Sequence, residues 1–160
     1  MNIVTVSIKV PEGLNLVIGQ AHFIKTVEDL YEVLISSGPS IRFGVAFCES
    51  SGPALIRYDG NDKELQDIAV NLAKEISAGH IFVITLRDTF PINILNRVKM
   101  VEEVASIFCA TANPVEVIIA ETQQGRGVLG VIDGVKNQGV ESEKDRRERH
   151  EFLRRIGYKR

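Results

Sequence analysis

The order of apolar runs along the chain limits its fold more than any other feature. About twice as many short runs show the apolar pattern of strands as show the 3.6-residue periodicity of helices. Some strands follow one another across tight turns and others are separated by a helix, so hairpins and β-α-β crossovers are both expected. We therefore predict an α/β protein with α+β character, in which a single mixed β-sheet with β-hairpins is covered by helices.

The predicted strands begin with a hairpin at the N-terminus. The stretch MNIVTVSIKV alternates, breaks at Pro11-Glu12-Gly13 and resumes as LNLVIGQ. A second pair, IRFGVAFC and ALIRYDG, flanks a turn at residues 50–53. The remaining predicted strands are HIFVITL, VASIFCA, VEVIIAE and VLGVID.

Three predicted helices have recognisable starts. Thr26 is expected to be the N-cap of the first, with Asp29 three residues further on. The second begins near Asp62 and is strongly periodic, and Gly79 is suited to a left-handed C-cap. The third begins with Pro91 in its first turn.

The C-terminal residues 141–160 form a fourth, charged helix in the prediction. They carry eight Lys and Arg against five Asp and Glu, a net charge of +3, which leaves −5 on residues 1–140 because the whole chain carries −2. A basic segment can contact nucleic acid, but acidic residues interrupt this one and aromatic residues are sparse. A solvated, ion-paired helix is favoured over a nucleic-acid-binding one, and His150 is expected to be inert.

The composition is that of an ordinary globular protein. With 160 residues, 44% of them apolar and 25% charged, one domain over residues 1–160 is expected. No apolar run approaches a membrane span and the N-terminus lacks a signal-peptide pattern, so we expect a cytoplasmic protein without a membrane partner. Cys48 and Cys109 lie in strand-like runs and are expected to be buried thiols.

The segment GQAHFIKTVED is the most informative for chemistry. A strand ending at Gln20 leads through His22 and Lys25 to the helix that starts near Thr26. A helix N-terminus has unpaired N–H groups and a partial positive charge, so a phosphate on His22 would be favoured there, with Lys25 adding a charge. The alternative is that His22 is a hydrogen-bonded residue at a strand end and Lys25 a solvated side chain.

His80 is the second candidate histidine. It follows the expected cap at Gly79 and opens an apolar strand. A helix C-terminus opposes a phosphate and favours the imidazolium, so His80 is better suited to be a partner or proton donor than a phosphate carrier. Its structural alternative is a core or capping histidine.

Arg87 and Asp88 follow a predicted strand and precede a helix, the place where α/β sheets tend to bind ligands. Arg87 could meet phosphate and Asp88 could hold a hydroxyl group or a metal. A surface salt bridge and a helix cap explain the same residues equally well.

The segment GRGVLG matches the dinucleotide-binding spacing GxGxxG, but a strand follows it where that motif requires a helix. A weaker prediction remains, in which Gly125, Arg126 and Gly127 form a loop that lets the backbone approach a ligand. The chain has neither the P-loop sequence nor the HRD and DFG motifs of protein kinases. Its histidines and cysteines lack metal-ligand spacing, so no metal site is predicted.

Seven stretches together resemble the adenosine-specific kinase family of small archaeal and bacterial proteins. They are GQAHFIKTVEDLYE, FGVAFCES, GNDKEL, AGHIFVITLRDTFPINILN, IFCATANPVEVIIAET, QGRGVLGVIDG and FLRRIGYK. The resemblance covers nearly the whole chain. It implies a compact α/β fold, binding of adenosine or an adenine nucleotide such as ATP, and a histidine that holds phosphate.

Carried onto this sequence, the resemblance makes GQAHFIKT the phosphate end of the site and ATANP the nucleoside end. Thr111, Asn113 and Pro114 lie in that second stretch. Asn93 and Asn113 could read the polar edges of a base, because an amide both donates and accepts. Phe90 or Pro91 could pack on its face.

Two functions remain open at this stage, and both start from an adenine nucleotide as phosphate donor. One is a phosphotransferase acting on adenosine through a phosphohistidine, with a magnesium requirement left open. The other is a nucleotide-binding or sensing module in which the phosphohistidine is a stable state. An RNA-associated role for the C-terminal helix is less favoured, and a homo-oligomer is expected.

Overall fold

The computed structural model describes residues 1–160 and contains eight strands and four helices. In chain order they are β1 (Asn2–Ile8), β2 (Asn15–Ala21), α1 (Thr26–Ile35), β3 (Arg42–Cys48), β4 (Ile56–Gly60), α2 (Lys63–Ile76), β5 (Ile81–Arg87), α3 (Pro91–Lys99), β6 (Val104–Thr111), β7 (Val115–Glu121), β8 (Arg126–Asp133) and α4 (Glu143–Arg155).

The strands form two sheets. A five-stranded sheet has the order β4-β3-β5-β2-β6, and a three-stranded sheet has the order β1-β7-β8. Every pair of neighbouring strands is antiparallel. The α+β character is confirmed, as is the hairpin of β3 with β4, whereas the expected single mixed sheet is replaced by two antiparallel sheets without a parallel crossover.

The predicted hairpin between the first two strands is wrong. β1 pairs with β7, with Ile8 opposite Val115, while β2 lies between β5 and β6. The physical reason lies in their different patterns. β1 alternates and is mostly exposed, as suits a sheet with one covered face, but β2 is buried along nearly its whole length.

Two cores separate three layers. One face of the five-stranded sheet packs against α1 and α3, around residues such as Phe43, Phe82 and Leu30. The other face packs against α2 and the three-stranded sheet. Gly44 permits the close approach of α2, because a Cβ atom there would lie 2.3 Å from the Leu65 carbonyl carbon.

Both expected helix caps differ from the structure. Thr26 is the first residue of α1 and its hydroxyl donates to the Phe23 carbonyl, so the cap position belongs to Lys25, which makes no side-chain cap bond. At the end of α2, Ser77 and not Gly79 adopts the left-handed conformation, with φ of 48°. The start of α2 is as expected, since Asp62 accepts from the Leu65 N–H.

The start of α3, the C-terminal helix and the burial of the two cysteines are as expected. α3 begins at Pro91, and the C-terminal segment contains a helix, α4, that opens with a Ser142 cap. Cys48 and Cys109 are free, buried thiols. None of the four helices has the length and apolar character needed to cross a bilayer.

Candidate functional site

His22 and His80 lie at the same end of the five-stranded sheet, where its strands begin or end. β2 ends there and the neighbouring strand β5 begins there, and the Ala21 N–H donates to the His80 carbonyl oxygen at 2.9 Å. On the other side, the His22 N–H donates to the Glu103 carbonyl oxygen at 3.0 Å. The His22 side chain is exposed and His80 is half-buried. The structure therefore brings together the two histidines that the sequence singled out. Gln20 lies at the same end of the sheet, as the second-last residue of β2.

The turn from His22 into α1 leaves three consecutive backbone N–H groups without a protein acceptor. The N–H groups of Thr26 and Val27 donate back to the carbonyls of Phe23 and Ile24, but those of Phe23, Ile24 and Lys25 have no partner. They belong to the first turn of a helical segment, where the helix dipole also favours negative charge. These donors directly follow His22 in the chain and are available to an anion bound at this turn.

Lys25 is already engaged. Its ammonium group pairs with Asp29 and lies 2.7 Å from Oε1 of Glu103. The charge pair with Asp29 first, and the one with Glu103 second, raises the pKa of Lys25 above its ordinary value. Hydrogen bonding to Lys25 lowers the pKa of Asp29 in turn. The positive charge expected for an incoming phosphate is thus balanced by carboxyl groups, and the unpaired N–H groups are the free donors near His22.

Glu103 is a residue of this site that sequence reasoning missed. Its side chain is 4% exposed, which is rare for a glutamate. Oε1 meets Lys25 as an ion pair without hydrogen-bond geometry, and Oε2 accepts no hydrogen bond from the chain. In the sequence Glu103 stands beside Glu102 before a strand, so nothing in the local pattern distinguishes the buried glutamate from the exposed one.

A cleft of about 640 Å³ opens beside the unpaired N–H groups. One wall is the start of α1 with its preceding turn, and the other is β4. Phe23 and Tyr58 line it and are each about half exposed, and the Asp59 carboxylate stands at its side. Aromatic faces with a few polar groups are the usual lining of a site for a flat ligand. Neither Tyr58 nor Asp59 was predicted, because the packing of β4 against α1 is non-local.

His80 holds an unusual backbone conformation. Its φ is +62°, in the left-handed region, and the residue stands just before β5 rather than in it as expected. Its N–H donates to the Cys48 carbonyl oxygen at 2.7 Å, and its ring stacks on Phe47 with 5.8 Å between centroids. Such conformations cost free energy and are found disproportionately at functional sites.

The predicted glycine loop comes to the same edge of the molecule. Gly125, Arg126 and Gly127 line a second cleft, of about 620 Å³, together with Ser50 and Gly79. Arg126 and Gly127 lie in β8 and not in a loop, so only Gly125 belongs to the turn. The Arg126 guanidinium pairs with Glu121 and donates to the last carbonyls of α2, including that of Glu75 at 3.3 Å. A cation at a helix C-terminus has a sufficient structural role.

The other predicted site residues lie at the opposite end of the five-stranded sheet, at the other ends of the same strands. β5 separates His80 from Arg87 by seven residues, which is about 20 Å in a strand. The structure therefore does not bring this group to the histidines within one chain. Its members are Arg87, Asp88, Phe90, Pro91, Asn93, Thr111, Asn113 and Pro114.

Several residues at that opposite end of the sheet have structural partners. Arg87 pairs with Glu64 at 3.1 Å, and Asn93 Oδ1 accepts from the Phe90 N–H at the start of α3. Thr111 donates to Asp133 at 2.8 Å, and Asn113 donates to the same carboxylate. Asp88 is exposed and holds a left-handed φ of 59°.

The fold and the end of the sheet with His22 define an α+β protein of two antiparallel sheets. It presents a histidine next to a turn of free N–H groups. The family model described as adenosine specific kinase matches residues 6–159, and the chain belongs to that family. The resemblance inferred from the sequence motifs is thereby confirmed. Membership indicates an adenosine-related kinase activity.

A solved structure supports the same grouping. The PH1918 protein from Pyrococcus horikoshii OT3 is 44% identical and superposes with a TM-score of 0.95, over 99% of this chain and 98% of that one. The name of that protein states no activity. No protein of curated function matches the sequence.

Proposed function

We propose that the protein transfers a phosphoryl group to adenosine from ATP or another adenine nucleotide, through a phosphohistidine at His22. The observation that carries this proposal is the run of unpaired N–H groups at Phe23, Ile24 and Lys25, directly after an exposed histidine. Hydrogen bonds to a charged group are among the strong ones, so these donors suit the dianionic phosphoryl group.

The chemistry has two displacements. In the first, the unprotonated ring nitrogen of His22 attacks the terminal phosphorus of the donor, the N–P bond forms, and the P–O bond breaks as the shortened nucleotide leaves with the electron pair. The ring releases the proton of its other nitrogen. In the second, the 5′-hydroxyl oxygen of adenosine attacks phosphorus, the N–P bond breaks, and the hydroxyl proton returns to the ring. A covalent intermediate divides one difficult step into two.

The nucleoside is proposed to occupy the cleft between α1 and β4. A purine there would stack on Phe23 or Tyr58, and the Asp59 carboxylate can accept from the 6-amino group of adenine. His80, at the same end of the sheet as His22, is proposed to be the partner that exchanges protons with the reacting groups. Magnesium, if required, would arrive on the phosphates of the donor, which usually provide its ligands.

Incubation with γ-labelled ATP, with and without adenosine and with and without Mg²⁺, tests the proposal. The label is expected on the protein without adenosine and in AMP with it. The alternative, a nucleotide-binding or sensing module with a stable phosphohistidine, gives label that stays on the protein when adenosine is added. Absence of label from both protein and AMP would exclude both functions.

A further inference from the structure

The C-terminal helix α4 packs extensively against no other element of its own chain. Residues 135–160 are exposed apart from Leu153, which is half-buried. Phe152 and Leu153 nevertheless lie four and three residues before Ile156, the C-cap residue, so both neighbour it and the three form one apolar face at the end of α4. A helix of 13 residues is marginal in water by itself, since most helical stability comes from packing an apolar face. This helix therefore requires a partner surface.

The charges around this face indicate what that surface must offer. In the first half of α4, Arg146 and Arg149 pair with Glu141, and Lys144 pairs with Glu148. The C-terminal end differs, because four basic side chains in the last turn of α4 and in the residues after it have no ion pair in the chain. They are Arg154, Arg155, Lys159 and Arg160. A suitable partner is apolar in the middle and acidic around it.

The groove between α1 and α3 has this character. It encloses about 610 Å³, and Val33, Met100 and Val101 supply its apolar lining. Met100 is 82% exposed, so it offers apolar surface that its own chain leaves uncovered. Glu32 and Glu102 line the same groove and have no ion pair within the chain, whereas the one basic residue of its lining, Arg97, donates to the Ser36 carbonyl oxygen at 2.9 Å.

We propose that α4 of one copy docks into the α1–α3 groove of a second copy of this chain. The apolar face of α4 would cover Met100 and Val33, and its unpaired basic side chains would meet Glu32 and Glu102. The net charges agree, with +3 on the last twenty residues and −5 on the rest. Each copy carries both the helix and the groove, so donation and acceptance can close into a symmetric ring. This inference goes beyond phosphoryl transfer and is independent of it.

Self-association measured by sedimentation equilibrium tests the proposal, with matched substitutions on both surfaces. The full chain is expected to be oligomeric, and Phe152→Asp and Met100→Asp are each expected to weaken association by roughly tenfold or more. Ile92→Asp is the control, because Ile92 lies on α3 outside the groove. Phe152, Met100 and Ile92 are all exposed in the single chain, so the three variants are expected to fold. A monomeric full chain, or an oligomer that survives Phe152→Asp or Met100→Asp, would overturn the inference.

Cysteine cross-linking distinguishes the groove from other acceptors. A ¹⁵N-labelled Met100→Cys chain is mixed with an unlabelled Phe152→Cys chain and oxidised, so that a mixed dimer is identified by its mass. The proposal expects this mixed dimer, and the native cysteines are buried and do not interfere. Leu129→Cys, an exposed position on β8, replaces Met100→Cys as the comparison. Preferential linkage of Phe152→Cys to Leu129→Cys would place α4 elsewhere and contradict the proposal.

Discussion

The backbone N–H of His22 donates to the carbonyl oxygen of Glu103 at 3.0 Å. This hydrogen bond joins the end of β2 to the start of β6 where the chain leaves the sheet for α1. Glu103 keeps its carboxyl group buried beside Lys25, which is anchored to α1 through Asp29. His22 therefore combines a fixed backbone with an exposed ring. A phosphate carrier requires both, because its ring must meet donor and acceptor in turn.

Phosphate is expected on His22 and not on His80. His22 is followed by free N–H donors, whereas the N–H that follows His80, that of Ile81, donates to the Ala78 carbonyl oxygen. Intact-mass and neutral-pH phosphopeptide analysis after exposure to ATP should show no phosphate on His22→Asn. The matched variant His80→Asn should keep it. The reverse pattern would exchange the roles of the two histidines.

A proline at position 24 is expected to weaken the hold on phosphate without unfolding α1. The Ile24 N–H has no acceptor, and Ile24 is the second residue of the turn closed by the Thr26 N–H and the Phe23 carbonyl, where proline is favoured. Loss of one hydrogen bond to a charged group should slow phosphohistidine formation by roughly tenfold. Ile24→Ala is the control, since it trims the side chain but keeps the N–H. Equal rates for the two variants would show that this N–H does not meet phosphate.

Adenosine or AMP is expected to bind more tightly than the guanosine counterpart. In the proposed site the Asp59 carboxylate would accept from the amino group of adenine, whereas the oxygen of guanine at the same place would be repelled. Tyr58→Ala should weaken adenosine binding by roughly fivefold to tenfold through lost stacking. Calorimetric adenosine binding by Tyr58→Ala is compared with binding by Phe90→Ala. This comparison locates the site, because Phe90 is an exposed aromatic residue at the opposite end of the sheet. Equal affinities for both purines, or an effect at Phe90 alone, would contradict this assignment.

The parts of the fold that depend on local pattern were predictable. The apolar periodicity of α2, the short turn between β3 and β4, and Pro91 at the start of α3 each act within a few residues. The partner of β1 is not local, since Ile8 pairs with Val115 across most of the chain. A pattern within β1 can show that one face is covered, but it does not specify which strand lies beside it.

The site was predictable in part for the same reason. His22 stands out because a strand end and a helix start are both visible around it, while burial of Glu103 depends on Lys25 folding over it from another element. The separation of His80 from Arg87 follows from the sequence alone. His80 precedes the seven-residue strand β5 and Arg87 ends it, so the two residues lie about 20 Å apart.

The two cysteines are expected to react slowly in the folded protein. Burial raises the pKa of Cys48 and of Cys109 to about 11, from 9.0. At pH 8 the thiolate fraction is then about a hundredfold lower than in the unfolded chain, and only the thiolate reacts. Labelling with a chromogenic disulfide should therefore be slow until denaturant is added. Because the unfolded thiols ionise first, their contribution to stability is complete below pH 9 and is lost as the pH rises towards 11.

Ending the chain after Gly139 is expected to leave adenosine binding nearly intact. The removed residues include all of α4, whose side chains are exposed apart from Leu153, and none of them lines the cleft between α1 and β4. The truncated chain should keep its thermal unfolding temperature within a few degrees when both forms are compared as dilute monomers, because α4 packs extensively against no other element of its own chain. Calorimetric titration with adenosine measures the binding, and circular dichroism confirms the fold. A folded truncation that no longer binds adenosine would place part of α4 in the nucleoside site.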